Sequence, residues 1–186
     1  MKKAFDVAVS GAFWILGSFP ILVIAMVVKA SSRGPVLYWS DRVGKDNRIF
    51  RMPKFRTMRV DAPVVATHLM TDPDRYFTPA GSFLRRTSLD ELPQLYSVLK
   101  GDMSMVGPRP ALFNQYDLIG LRTRKGIHRL LPGITGWAQI NGRDDLPIPE
   151  KVELDNDYLR RRSFGFDVKI FLETFKKVAN RQDVSH

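Results

Sequence analysis

The chain has 186 residues, 44% of them apolar, with 29 lysines and arginines against 19 acidic residues and a formal charge of +10 at pH 7. This suits one compact domain with an appendage, and the excess of cations points to anionic partners: nucleic acid, nucleotide-type substrates or an anionic membrane face. The absence of cysteine excludes a disulfide framework, a thiolate nucleophile and a cysteine zinc site, and His68, His128 and His186 lie too far apart in sequence to suggest a histidine metal cluster. A Ser-His-Asp triad survives the counting, but no Gly-x-Ser-x-Gly elbow occurs.

From Val7 to Val28 the sequence is almost wholly apolar, long enough to cross the ~30 Å of a bilayer as a helix, so membrane association is expected. Val28-Lys29-Ala30 makes a poor signal-peptide cleavage site. Pro20 falls mid-segment after Gly17 and Ser18, and lysines or arginines stand at both ends, Lys2 and Lys3 before and Lys29 and Arg33 after. A bent, re-entrant helix with both ends on one side accounts for both features; an ordinary span containing a proline fits the physics about equally.

After the linker Ser31 to Pro35, the arms Val36-Leu37-Tyr38-Trp39 and Ile49-Phe50-Arg51-Met52 flank the polar turn Gly44-Lys45-Asp46-Asn47, a β-hairpin pattern. Lys54 and Arg56, two apart on the extended second arm, project to one side, either as an anion platform or as a basic edge that deters aggregation. Asp61 to Pro79 reads as a loop with a short helix.

Arg85-Arg86-Thr87-Ser88-Leu89-Asp90-Glu91-Leu92-Pro93-Gln94 is the candidate reactive centre. Leu89, Leu92, Leu95, Tyr96 and Leu99 recur at helical spacing before Gly101, which puts Asp90 and Glu91 in the first turn of an amphipathic helix. Such a carboxylate can hold a divalent cation or attack phosphorus when nearby cations gather the phosphate charge. Ser88 and Glu91 equally fit a simple capping box, although Pro93 disturbs that register.

Downstream, Arg109 sits between Pro108 and Pro110, a restricted backbone suited to bidentate phosphate recognition. Arg122 to Leu131 is basic with interleaved apolar residues, fit for phospholipid headgroups or a solvated face. Pro132 to Arg143 reads as turn, short strand and turn, its glycines implying close backbone approach. Glu150 to Arg162 is a charged helix carrying Asp155 and Tyr158. A last helix from Asp167 places Val168, Phe171, Leu172, Phe175 and Val178 on one face, to lie in a membrane interface or against the core.

Four stretches in order resemble the small monotopic bacterial sugar transferases, the polyprenyl-phosphate phosphoglycosyl transferases. They are Lys54-Phe55-Arg56-Thr57-Met58, Ser88 to Gln94, Gly101 to Pro110, and Pro132-Gly133-Ile134-Thr135-Gly136-Trp137-Ala138-Gln139-Ile140-Asn141-Gly142-Arg143. The resemblance implies a bacterial cytoplasmic (inner) membrane enzyme, monotopic and facing the cytoplasm, that opens a glycoconjugate or polysaccharide pathway. Asp90 would attack the β-phosphorus of a UDP-sugar, expel UMP and pass the phosphosugar to undecaprenyl phosphate. Glu91 would partner Asp90, and the two would hold Mg2+. Lys54, Arg56, Arg86 and Arg109 match as phosphate-binding residues, and Trp137, Arg143 and Asp155 as substrate-side residues. Ser18 and Pro20 mark the membrane-helix break, where the family usually has adjacent Ser-Pro and this chain reads Ser18-Phe19-Pro20. Gly142 to Pro147 is similar to members using N-acetylated amino sugars.

The expected fold is therefore α+β and mostly helical, with a re-entrant membrane helix at 1–30 and a membrane-associated catalytic domain at 31–186 built from a β-hairpin and amphipathic interfacial helices. No nucleic-acid partner is expected, and a homodimer is left open. Two other classes compete: a metal-dependent membrane phosphohydrolase, and a noncatalytic, basic, membrane-tethered anion-binding protein.

Overall fold

A computed structural model describes residues 1–63, 70, 72, 74–142 and 146–179. The apolar segment forms two helices, α1 (Lys2–Leu16) and α2 (Ser18–Ser31), bent by 62°. Pro20 has no N–H to give and its ring crowds the carbonyl of Leu16, so the helix breaks one residue later. The turn is made at Gly17, where a Cβ would come within 2.5 Å of the Phe13 carbonyl oxygen. Ser18 Oγ donates to the Ile15 carbonyl at 2.8 Å and so closes the end of α1. The displaced serine of Ser18-Phe19-Pro20 therefore still serves the bend. No single helix among the described residues is long and apolar enough to cross a membrane, although the bent pair together has the length and composition. Ile15, Leu16 and Phe19 at the bend are 74%, 81% and 74% exposed, an apolar tip facing outward.

The start of α1 is held to the rest of the chain by polar groups. Buried Asp6 accepts from Ser104 Oγ at 2.8 Å and from the Met105 N–H at 3.0 Å. Lys2 Nζ donates to Asp167 Oδ2 at 2.7 Å and to the Val106 carbonyl at 2.9 Å, and Tyr158 donates to Asp167 Oδ1 at 2.7 Å. Phe5 and Val9 pack on the core that contains Met105, Val106, Phe166 and Ile170, while Ile24 and Val28 share a cluster with Phe55 and Leu84. The segment expected as a separate unit at 1–30 thus shares both cores with residues after 31. Asp6→Ala leaves the Ser104 hydroxyl and the Met105 N–H without their acceptor, and is expected to cost about 2–3 kcal/mol in thermal unfolding of the detergent-solubilised chain.

The hairpin forms as expected. Strands β1 (Leu37–Val43) and β2 (Ile49–Phe55) pair antiparallel from Leu37 opposite Phe55 to Val43 opposite Ile49. Asp46 and Asn47 take the left-handed backbone at the turn, with φ of 55° and 59°, which their short polar side chains tolerate. A second, parallel pair joins β3 (Ser104–Val106) to β4 (Gly133–Thr135). Here the close approach foreshadowed by the glycines is chain against chain: a Cβ on Gly133 or Gly136 would strike the Gly107 backbone. The run after β4 is a helical turn rather than an open one.

Short helices complete the site layer: α3 (Gly81–Arg86), α4 (Leu95–Lys100), α5 (Tyr116–Arg124) and α6 (Trp137–Ile140). The C-terminal pair, α7 (Ile148–Arg161) and α8 (Phe164–Ala179), divides its faces. Phe166 and Ile170 of α8 are core residues, whereas Leu172 and Phe175 stay exposed, with Phe175 stacked on Phe13 of α1 at 6.0 Å. One helix therefore meets both the core and the outer apolar surface continuous with α1. The described fold is α+β and mostly helical.

Candidate active site

Between α3 and α4 the chain makes a tight 3-10 stretch, Leu89–Gln94, in place of the α-helical first turn that the leucine spacing predicts. Pro93 supplies no N–H there, so the α pattern begins only at Leu95 and ends at Gly101 with φ 91°. Ser88 takes a left-handed φ of 56° and its side chain caps nothing, so no capping box forms. The tighter winding carries Asp90 inward, to 5% exposure, and leaves Glu91 half-buried beside it.

β2 brings Lys54 to this pair. Its Nζ lies 2.8 Å from Glu91 Oε1 and 4.0 Å from Asp90 Oδ2, and Arg109 Nη2 reaches the same Glu91 oxygen at 3.1 Å. The two neighbouring carboxyls are driven apart as acids. Burial pushes Asp90 up to about 6, with Glu91 reinforcing the rise and Lys54, Arg85 and Arg109 opposing it. Burial also acts on Glu91, but Lys54 and Arg109 overcome it and hold that carboxyl well below the usual carboxylate range. Glu91 thus favours its ionised form and gathers two cations, and Asp90 is the buried, less compensated carboxyl next to them.

Arg109 is oriented from behind. Arg122 Nη1 donates to the Arg109 carbonyl at 2.8 Å, and Arg42 Nη1 donates to that of Pro110 at 3.1 Å. Arg122 is in turn gripped by Asp155, whose Oδ2 accepts from Nε at 2.9 Å and from Nη2 at 2.6 Å. Asp155 is therefore corrected from a substrate-side residue to a buried support of the loop that carries Arg109, being only 1% exposed.

Three further expectations change. Arg56 is buried and turned away from an anion platform, its guanidinium donating to the Ser32 carbonyl and hydroxyl at 2.9 Å each and to the Arg33 carbonyl. Once β2 ends at Phe55, the alternation that would keep it beside Lys54 no longer holds. Arg86 is exposed, and its neighbour Arg85 is the one that acts on Asp90. Trp137 packs on Phe166, with ring centroids 5.0 Å apart, and lies under the Arg161 guanidinium at 5.3 Å, contacts of the core margin rather than of the carboxylate pair. Arg143 lies outside the described residues. Arg122 had shown only as part of a basic segment, since its partner is remote in sequence.

For a metal, the described residues hold no group of three or more His, Cys, Asp or Glu. Asp90 and Glu91 are a fitting donor set only for an ion that keeps water and shares substrate phosphates, as Mg2+ does. The buried, poorly compensated Asp90 carboxyl is the observation in favour.

A lysine, an arginine and a glutamate thus cluster around one buried aspartate, an arrangement whose cations can meet phosphate charge. Residues 1–181 match the model of the bacterial sugar transferase family, and the chain belongs to that family. It is 44% identical to a UDP-glucose:undecaprenyl-phosphate glucose-1-phosphate transferase of Escherichia coli (strain K12), over 97% of this chain and 41% of that one. An uncharacterised sugar transferase of Bacillus subtilis (strain 168), EpsL, is 41% identical over 96% of this chain and 87% of its own length. An undecaprenyl-phosphate galactose phosphotransferase of Salmonella typhimurium is 34% identical over 97% and 41%. The chain thus spans well under half the length of the E. coli and Salmonella relatives.

Proposed function

We propose that this chain transfers a sugar 1-phosphate from a nucleoside diphosphate sugar to undecaprenyl phosphate, through a phosphosugar ester on Asp90. The carrying observation is the division of labour in the carboxyl pair: Glu91 ionised under Lys54 and Arg109, Asp90 raised and buried beside them. The names of the relatives support the same reaction class.

In the first step an Asp90 carboxylate oxygen forms a bond to the β-phosphorus, and the bond from that phosphorus to the bridging oxygen breaks, so that UMP leaves with the electron pair. In the second, an oxygen of undecaprenyl phosphate bonds to the same phosphorus and Asp90 departs as carboxylate. No net proton is required. Lys54 and Arg109 offset diphosphate charge that would otherwise repel the carboxylate, and Arg85 lowers the cost of ionising Asp90. Asp90 and Glu91 would hold magnesium, which when bound supplies further neutralisation of phosphate charge.

The bent α1–α2 pair supports a monotopic, re-entrant placement at the cytoplasmic face of the bacterial inner membrane: the apolar tip enters the bilayer and both basic ends remain outside. The donor reading is a UDP-hexose. Relatives' names favour glucose or galactose, and the Gly142 to Pro147 pattern favours an N-acetylated sugar.

The test is UMP release from UDP-glucose, UDP-galactose and UDP-N-acetylglucosamine by detergent-purified protein with magnesium and undecaprenyl phosphate. Turnover of at least one donor is expected, dependent on both additions. Because the carboxylate is the attacking form, kcat/KM should rise about tenfold per pH unit up to about 6 and then level. UMP or phosphate release that ignores undecaprenyl phosphate and yields no lipid-linked sugar would instead indicate a hydrolase.

A further inference from the structure

A cavity of about 380 Å3 opens where α1 and α8 begin, and none of its lining residues belongs to the Asp90, Glu91, Lys54 and Arg109 cluster. Four cations line it: Lys2 at the head of α1, Lys45 in the hairpin turn, Arg129 after α5 and Arg162 after α7. Among the described residues its one acid, Asp167, is buried and already satisfied by Lys2 and Tyr158. Lys45, Arg129 and Arg162 make no side-chain hydrogen bond or ion pair among the described residues. Three cations without a fixed partner among the described residues face one concavity, which raises its positive potential and favours an anion there.

The chemistry narrows further. Two guanidinium groups favour the tetrahedral oxygens of phosphate, which they can bind in fork geometry. The volume exceeds that of a bare phosphate and falls in the range of small-ligand sites, and Leu130, Leu131 and Phe164 give it apolar walls for an organic substituent. We propose that this cavity is a second anion site that binds a phosphate ester, separate from the diphosphate that reacts at Asp90. The ester is either the headgroup of an anionic phospholipid or a soluble phosphate ester. An anionic-lipid headgroup there would tie the base of α1 to α8 through its contacts with Lys2 and Arg162.

The experiment is calorimetric titration of the full chain in neutral detergent with dihexanoyl phosphatidylglycerol and, separately, with glycerol 3-phosphate. The Arg129→Gln, Arg162→Gln double variant is run in parallel; both side chains are exposed, so the exchange leaves the packing intact. Saturable binding of at least one probe is expected, weakened at least about tenfold in the double variant. Binding of the lipid alone assigns the headgroup as the source, and binding of glycerol 3-phosphate assigns a soluble ester. Absence of saturable binding by either probe, or equal binding by the double variant, overturns the proposal. So does binding that is lost on Lys54→Gln and kept in the double variant, because the anion would then be at the Asp90 cluster. The site stands on its own geometry, and Asp90→Asn is expected to bind both probes as the native chain does, so either proposal can fail without the other.

Discussion

Asp90→Asn is expected to lower turnover by at least about 10³-fold while making the folded chain more stable at pH 8. The amide keeps the shape of the carboxyl but cannot form the phosphosugar ester. The stability gain follows from the same burial that raises the acid. Asp90 titrates near 6 in the folded chain against an ordinary 3.8, so the folded state holds the proton more tightly than the unfolded state. Its favourable contribution is complete below the unfolded value and is lost as pH rises through about 6. Above that, keeping the buried carboxylate ionised costs about 3 kcal/mol, at 1.36 kcal/mol per pKa unit, and asparagine removes the cost. Thermal unfolding of both proteins at pH 4 and pH 8 checks it: the melting difference should be large at pH 8 and small at pH 4. A mutant that turns over like the native chain would remove Asp90 from the covalent mechanism. A mutant destabilised at pH 8 would mean that the carboxylate is better compensated than its surroundings indicate.

Asp155→Ala is expected to be among the most destabilising single changes, at about 3–5 kcal/mol, because it leaves the buried Arg122 guanidinium charged and unpaired. Against the 5–15 kcal/mol typical of a whole domain, this is a large fraction. Asp155→Asn keeps an oxygen acceptor and should cost less. The pair Asp155→Leu with Arg122→Met should recover most of the stability, since two apolar residues leave no stranded charge. Activity should not recover with it, because Arg122 also holds the Arg109 carbonyl. Chemical unfolding alongside kcat/KM separates the two effects. Recovery of both together would reduce the Arg122–Asp155 pair to a packing role, and a loss below about 1 kcal/mol in Asp155→Ala would show that Arg122 finds another partner.

Much of the fold was legible because local chemistry dictates it. Polar turn residues between apolar arms marked the hairpin, and apolar spacing marked the two terminal helices. Pro20 and Gly17 marked the break, since a missing N–H and a missing Cβ act on the same few residues that carry them. The Asp90-Glu91 pair, Lys54 and Arg109 were likewise visible as candidates from their immediate contexts. Where local signals conflicted, the reading failed: leucine spacing argued for an α-turn at Asp90, and Pro93 enforced a 3-10 turn that buries it.

What the sequence by itself determined, then, is the hairpin, the long C-terminal helices, the place where the apolar segment breaks and the chemistry available at Asp90 and Glu91. Tertiary structure alone decided which cations serve them. Arg85 rather than Arg86 acts on Asp90, Arg56 is spent on the carbonyls that follow α2, and Asp155 works through Arg122 instead of meeting substrate. It also decided that Asp6, an acid beside an apolar run, serves the core by accepting from Ser104 and Met105. The physical reason is common to all of these. A helix or turn is set by residues a few positions apart, whereas a buried charge is stable only beside partners that folding brings from distant parts of the chain.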